Sequence, residues 1–277
     1  MYSIGMDTGS EPAGKVLLVE DNVVNQKVAR RFLERLGCDV EVAGNGVEAV
    51  RAFEGGAFGL ILMDVQMPVM DGYEATERIR SLESTPGKFP ARTPVVALTA
   101  DALPGHLDRC LQSGMDGLLT KPINAEQLEQ MLVRFGLGAS VREVALPCAA
   151  GPVPQPVDLM AFDTVTGGDG EFAAALARSY LDDSRELFTR IRTCLGCEDR
   201  AELARVVHQL AGASANIHAT ALRELCLRLE RLAPSAAAAE LGDCVARIGA
   251  ELGRVSAALR QHSQAVHRRG AAGFLSR

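Results

Sequence analysis

The stretch FGLILMDVQMP at residues 58–68 decides the architecture of the first half of the chain. Its apolar run is typical of a short strand that is buried on both faces, as strands of parallel sheets are. The run ends at Asp64, and Pro68 prevents the strand from continuing as a regular ladder. Open α/β sheets place their chemistry at the carboxyl ends of strands. A single Asp at such a position would more often cap the next helix, so the other strands must decide its role.

Four more strand-like segments alternate with helical patterns on either side of this stretch. They are residues 15–20, 39–42, 94–98 and 117–120. This alternation predicts a doubly wound parallel sheet with five strands and five helices. The carboxyl ends of parallel strands meet at one edge of the sheet, so we expect the polar residues that follow them to lie close together. These residues are Glu20, Asp21, Asp64, Thr99 and Lys121.

Crowded carboxylates at one edge of a sheet imply a cation. Two close carboxylates repel by roughly 4 kcal/mol at an effective dielectric constant of about 20, and protonation or a bound cation must relieve this repulsion. Oxygen ligands on a rigid edge suit Mg²⁺, which also holds phosphate. Asp64 could then act as a nucleophile that forms an aspartyl phosphate. Lys121 and the hydroxyl of Thr99 could balance the charge on the phosphoryl oxygens.

Four separated motifs occur in the order found in the receiver domain of two-component response regulators, which residues 14–137 resemble. The motifs are Glu20-Asp21, the run from Met63-Asp64 through Met67-Pro68 to Asp71-Gly72, Thr99-Ala100, and Lys121-Pro122. The resemblance implies a flavodoxin-like (βα)5 sheet of order 2-1-3-4-5, with Asp64 as the phosphoacceptor. It also implies a Mg²⁺ site formed by Glu20, Asp21, Asp64 and the backbone carbonyl of Gln66, a Thr99 that follows the phosphate, and a cis bond before Pro122. The chain departs from the family at Leu118, where an aromatic switch residue is usual.

The second half of the chain shows helical patterns without strand alternation. Four amphipathic segments between residues 158 and 262 predict an all-α, antiparallel four-helix bundle, with a short helix near its start. A Pro-rich linker at 138–157 separates the bundle from the sheet domain. The lead at 1–13 and the tail at 263–277 are predicted to be disordered.

His208 is the informative residue of the bundle, because its helical position points away from the apolar stripe. Small residues share that outer face, where charged side chains would be usual: Ala201, Ala204, Ala211, Gly212 and Ala215. A smooth face around an exposed imidazole suits close docking of another protein. An ordinary surface histidine is the alternative reading.

The segment His208-Gln209-Leu210-Ala211-Gly212, followed by Ser214, Ala215 and Asn216, is similar to histidine phosphotransfer (HPt) domains. The similarity extends over about residues 157–262 and implies His208 as a second phosphoacceptor. The family usually has Lys three residues after the histidine, and this chain has Ala211 there. Arg205 lies on nearly the same face and is our candidate for the missing cation. Ala211, Gly212 and Asn216 complete the predicted docking surface.

Composition limits the classes of function. The chain has 277 residues, 47% of them hydrophobic, and a formal net charge of −6. An acidic chain is a poor general nucleic-acid binder. No apolar run approaches the roughly 20 residues that span a bilayer. Seven cysteines, an odd number, fit a reducing compartment, so we expect a cytoplasmic location.

An Asp and a His phosphoacceptor in one chain predict a phosphorelay protein. A histidine kinase would phosphorylate Asp64, His208 would exchange the group with it, and a downstream response regulator would receive it. The arrangement is like the C-terminal part of a hybrid sensor histidine kinase. We find no ATP-binding motif, so whether the chain counts as an enzyme by itself stays open. The alternatives are a phosphate drain, a Mg²⁺-dependent hydrolase, which would usually carry Asp where Gln66 stands, and a phosphorylation-independent scaffold.

Overall fold

The structure is a computed structural model that describes residues 13–85, 89, 92–99, 104–137 and 155–274. The first domain is built on a sheet of five parallel strands, as the sequence predicted. The strand order is β2-β1-β3-β4-β5, which confirms the flavodoxin-like topology. The strands are β1 (Ala13–Val19), β2 (Cys38–Ala43), β3 (Leu60–Asp64), β4 (Val95–Thr99) and β5 (Gly117–Thr120).

Five helices cover the two faces of this sheet. They are α1 (Val23–Arg35), α2 (Gly46–Gly55), α3 (Gly72–Glu83), α4 (Pro104–Gln112) and α5 (Ala125–Arg134). Every residue of β3 and β4 is buried, which explains why both read as continuous apolar runs. Local signals fix the helix starts. The side chain of Asn22 accepts hydrogen bonds from two amides of the first turn of α1, and Asn124 and Gln127 form a capping box at the start of α5.

The second domain is a helical bundle, which confirms the predicted fold class. Four long helices, α7 to α10, surround a shared apolar core, and the short helix α6 packs against α7. Helix α8 lies between α7 and α9, and α10 contacts both of those helices. The helices are α6 (Leu159–Thr166), α7 (Gly170–Gly196), α8 (Arg200–Asn216), α9 (Thr220–Leu232) and α10 (Ala238–Phe274).

The ends of this domain differ from the sequence-based prediction. Helix α10 continues to Phe274, so residues 263–274 are helical where a disordered tail was expected. The segment has three Ala and two Arg, which favour a helix, and it contains no Pro to end the helix, although it includes two Gly. Val157, placed at the end of the predicted linker, is fully buried. The predicted lead up to residue 12 and the linker residues 138–154 lie outside the described residues.

The two domains are in contact, a point that the sequence left open. Helix α1 of the sheet domain packs against α7 and α8 of the bundle. Buried residues from both domains, such as Val28 of α1 and Leu210 of α8, belong to one continuous apolar cluster. Within the described residues, no helix is both long and apolar enough to cross a membrane.

Candidate functional site

An acidic pocket lies at the carboxyl edge of the sheet, where β1 and β3 end side by side. Val19 pairs with Met63 in the parallel ladder, so Glu20 and Asp64 follow directly as neighbours. Carboxylate oxygens of Glu20, Asp21 and Asp64 all lie within 4.8 Å of one another. Glu20 and Asp64 are buried, whereas Asp21 keeps some contact with solvent. The structure therefore brings together three of the residues that the sequence placed at this edge.

Lys121 joins two of these carboxylates. Its Nζ donates to Glu20 Oε2 and to Asp64 Oδ2, at 2.6 Å in both cases. Burial alone would lower the pKa of Lys121, but the charges of Asp64 and Glu20 outweigh it and raise this pKa above its usual value. Lys121 is therefore a permanent cation beside Asp64. The peptide bond between Lys121 and Pro122 is cis, as the receiver resemblance implied.

The remaining electrostatics of the pocket favour a second cation. Burial raises the pKa of Glu20 to about 7, and the charge of Asp64 adds to this effect against the opposing pull of Lys121. Burial and the charge of Glu20 raise the pKa of Asp21 to about 6. Three carboxylates thus share one lysine, and all the donors are oxygens. This donor set fits a hard divalent cation such as Mg²⁺.

The loop after β3 holds Asp64 from the opposite side. The backbone N–H of Gln66 donates to Asp64 Oδ1 at 3.2 Å, which places Gln66 next to the acidic pocket. Gly72 begins α3 directly behind the strand, and a Cβ at Gly72 would overlap the backbone carbonyl oxygen of Asp64. Thr99 is buried at the end of β4, and its carbonyl oxygen accepts a hydrogen bond from the amide of Lys121. All the predicted receiver residues therefore meet at one edge.

His208 lies in the middle of α8, and its environment differs from the prediction. The sequence suggested a bare imidazole on an outer face, but the side chain is only 15% exposed. Its Nδ1 lies 3.0 Å from Glu230 Oε1 on α9. Ala211 and Ala215, predicted to share the outer face, are buried. The reason is that α8 packs against α7 and α9 and also against α1, so little of its surface remains open.

The predicted docking face of α8 does meet another folded unit, namely the sheet domain of the same chain. The side-chain amide of Gln209 donates to the carboxylate of Asp21. Asn216 Nδ2 donates to Asn25 Oδ1 at 2.7 Å, and both residues are buried. At Gly212, an added Cβ would lie 3.2 Å from Asn25 Nδ2. The small residue at this position therefore permits close approach of α8 to α1.

Arg205, the candidate cation for the bundle, is 61% exposed and forms a 3.0 Å ion pair with Glu202. Its role near His208 stays a prediction. Sequence reasoning missed Glu230 and Asn25. No local periodicity connects Glu230 with a histidine 22 positions earlier on another helix. Asn25 looks like an ordinary residue of a first helical turn, and its role depends on a contact between two domains.

Comparison with known proteins places both halves of the chain. Residues 16–133 match the family model for the response regulator receiver domain, and residues 175–266 match that for the Hpt domain. The chain therefore belongs to the two-component signalling proteins, as a receiver domain followed by an Hpt domain.

Particular relatives agree with this class. Sensor histidine kinase GacS of Pseudomonas protegens is 35% identical over 259 residues, which is 88% of this chain and 28% of that protein. Signal transduction histidine-protein kinase BarA of Escherichia coli is 31% identical over 80% of this chain and 24% of that protein. The chain thus spans only about a quarter of the length of these kinases, and it matches their C-terminal parts.

A solved structure matches the first domain alone. It is the receiver domain of sensor histidine kinase PA1611 from Pseudomonas aeruginosa, described with a magnesium ion coordinated in the active site cleft. The identity is 43%, and the match covers 44% of this chain and 96% of that one, with a TM-score of 0.40.

Proposed function

We propose that this chain is a phosphorelay intermediate that moves a phosphoryl group between Asp64 and His208. The observation that carries the proposal is the contact between α8 and the acidic pocket. Gln209 follows His208 directly in the chain and donates to Asp21, whose carboxylate lies within 4.8 Å of that of Asp64. The helical turn that bears the imidazole is therefore docked on the edge of the sheet that bears the phosphoacceptor carboxylate.

The contact between His208 and Glu230 prepares the imidazole for attack. A carboxylate accepts hydrogen bonds, so Glu230 holds the ring proton on Nδ1 and leaves the lone pair of Nε2 free. Nε2 then attacks the phosphorus of phosphorylated Asp64. The bond between phosphorus and the Asp64 oxygen breaks as the bond between nitrogen and phosphorus forms. Asp64 leaves as a carboxylate, and no proton has to move.

The same pair balances the charge that the transfer creates. A neutral imidazole that gains a phosphoryl group on Nε2 while keeping its proton on Nδ1 becomes a cationic ring. The carboxylate of Glu230, 3.0 Å from Nδ1, stabilises this cation through a charge-assisted hydrogen bond. The reverse transfer, from His208 to Asp64, uses the same contacts.

On the receiver side, Glu20, Asp21, Asp64 and the backbone carbonyl of Gln66 would hold Mg²⁺. When bound, the ion neutralises charge on the phosphoryl oxygens. Lys121 already contacts an oxygen of Asp64 at 2.6 Å and is placed to pair with an incoming phosphoryl oxygen. The hydroxyl of Thr99 is proposed as a further donor to that group.

The partners follow from the receiver domain and the helical bundle. A histidine kinase would supply the phosphoryl group to Asp64, and the receiver of a downstream response regulator would take it from His208. Six cysteines are free thiols in the part of the chain that the structure describes. Free thiols fit a reducing compartment, which supports a cytoplasmic site of action.

Labelling with radioactive acetyl phosphate tests the proposal. Wild type should acquire an acid-stable label on Asp64 and an acid-labile label on His208. Asp64→Asn should acquire neither label, and His208→Gln should keep only the acid-stable one. His262→Gln is the matched control and should behave like wild type, because this histidine lies on α10 and contacts Asp163 of α6. An acid-labile label that survives in His208→Gln, or no label on any variant, would reject the relay.

A further inference from the structure

Among the residues that the structure describes, four polar pairs join α1 and the residues just before it to the bundle. The first is Gln209 to Asp21 at the acidic pocket. Asn22 Nδ2 donates to Asp183 Oδ2 at 2.7 Å, Asn216 Nδ2 donates to Asn25 Oδ1 at 2.7 Å, and Arg31 pairs with Asp169 Oδ2 at 2.8 Å. The pairs extend from the pocket to the third turn of α1. A surface with this length and regular pairing is a specific interface rather than a single chance contact.

The backbone of the bundle approaches α1 closely at two glycines. At Gly212, a Cβ would lie 3.2 Å from Asn25 Nδ2. At Gly167, whose φ of +66° is in the left-handed region, a Cβ would lie 2.8 Å from a guanidinium nitrogen of Arg35. The guanidinium of Arg31 also lies 5.1 Å from the centre of the Phe172 ring. Close approach and opposite charges therefore occur at several points along the contact.

The interface and the acidic pocket share a residue. Asn25 Nδ2 donates to Glu20 Oε1 at 2.7 Å, while Asn25 Oδ1 accepts from Asn216. The bundle thus contacts the receiver through Asn25, a residue that itself donates a hydrogen bond to a carboxylate of the pocket. A second receiver that presented its own pocket to His208 would need the position that this receiver already occupies.

We propose that the contact of α1 with α7 and α8 is a self-docking interface. Through it, the chain's own receiver occupies the surface of the bundle around His208. This receiver must undock before His208 can exchange a phosphoryl group with a second receiver. The inference rests on the proposed function and concerns the regulation of the same site. The covalent link favours the chain's own receiver, because it turns the encounter of the two domains into an intramolecular one.

Transfer between two copies of the chain tests the proposal. The donor carries His208→Gln and Asp169→Arg and is labelled on Asp64 by acetyl phosphate. Asp169→Arg places a second guanidinium next to the donor's Arg31. The two positive charges repel, so the donor's α1 becomes accessible. The acceptor is Asp64→Asn, which retains His208 but has an inactive receiver docked over it. Adding Arg31→Asp to the acceptor places two acidic side chains against each other and should undock that receiver. We expect the acid-labile label on the acceptor to appear about tenfold faster, because like charges juxtaposed across an interface oppose association.

Two further acceptors make the result specific. Arg30→Asp is the matched control, because Arg30 is the neighbouring residue on α1 but pairs with Glu34 of the same helix. In the Asp64→Asn background it should leave the transfer rate unchanged. Adding Asp169→Arg to the Arg31→Asp acceptor restores an ion pair in reversed order, so the rate should return to that of the parent or fall below it. An Arg31→Asp acceptor no faster than its parent, or an Arg30→Asp acceptor equally accelerated, would overturn the proposal.

Hydrogen exchange separates this proposal from the relay itself. In the otherwise unmodified full chain, Arg31→Asp should increase amide exchange in α1 and α8, and Arg30→Asp should not. If exchange responds in this way but wild type never acquires an acid-labile label on His208, the relay fails and self-docking stands. If acceptors are labelled but neither exchange nor rate responds to Arg31→Asp, self-docking fails and the relay stands.

Discussion

The free energy of unfolding of the metal-free chain should fall as the pH rises from about 5 to 8. The carboxyls of Glu20 and Asp21 have pKa values raised to about 7 and about 6, from usual values of 4.5 and 3.8. Between the usual and the raised values, the folded chain binds more protons than the unfolded chain. Stability therefore decreases with rising pH through this window. The pKa of Lys121 is raised above an already high value, so this residue contributes no slope at these pH values.

The size of the decrease follows from the same pKa values. Between about pH 5 and 8, the shift of the Glu20 pKa from 4.5 to about 7 lowers the free energy of unfolding by roughly 2 to 3 kcal/mol. The shift of the Asp21 pKa lowers it by about 1 kcal/mol more. For a domain of this size, 1 kcal/mol corresponds to about 3 °C in the thermal midpoint, so the receiver transition should fall by roughly 10 °C. Millimolar Mg²⁺ should reverse most of this loss at the upper pH and little at the lower, because protons compete for the same oxygens.

Calorimetry with a chelator present, then with Mg²⁺, measures this directly. Glu20→Gln is the informative variant, since it removes the larger contribution and should flatten more than half of the pH dependence. A thermal midpoint that stays constant or rises from about pH 5 to 8 without metal would refute the reasoning. So would a pH dependence that Glu20→Gln leaves intact.

Three further changes test individual contacts. Glu230→Gln removes the charge that balances a phosphorylated ring, so the ratio of acid-labile to acid-stable label should fall about tenfold; an unchanged ratio would remove Glu230 from the mechanism. Gly212→Leu should stabilise the bundle by about 1 kcal/mol through helix propensity, yet slow the transfer to the bundle because the side chain meets Asn25. The free energy of unfolding of the bundle should therefore rise while the rate of labelling on His208 falls. A rise or a fall in both would contradict this. Gly72→Ala should cost the receiver roughly 2 to 3 kcal/mol in thermal unfolding, because its Cβ would overlap the Asp64 carbonyl, and a neutral result would show that the loop can shift.

The fold of each domain could be predicted because its signals are local. Continuous apolar runs in β3 and β4 reflect burial on both faces, and the Asn124 to Gln127 capping box marks the start of α5. The acidic pocket was also predictable, because parallel strands bring their carboxyl ends to one edge and so gather residues as distant as Glu20 and Lys121. Sequence periodicity was thus sufficient to predict the residues whose positions are determined by the parallel sheet.

The environment of His208 was not predictable by the same means. A helical wheel separates one apolar stripe from the rest, but α8 is covered from three directions, so Ala211 and Ala215 are buried as well. The bond to Glu230 depends on the packing of two helices, and the bond between Asn216 and Asn25 depends on the docking of two domains. Neither of these hydrogen bonds produces a periodic pattern in the sequence.

Helix α1 divides into two parts with different tolerance to redesign. Asn25, in its first turn, bonds to the acidic pocket on one side and to the bundle on the other. Arg31, further along, reaches Asp169 and Phe172 of the bundle. To redesign the bundle for a different receiver, substitutions should therefore be made against the later turns of this helix. The contacts of its first turn should be kept.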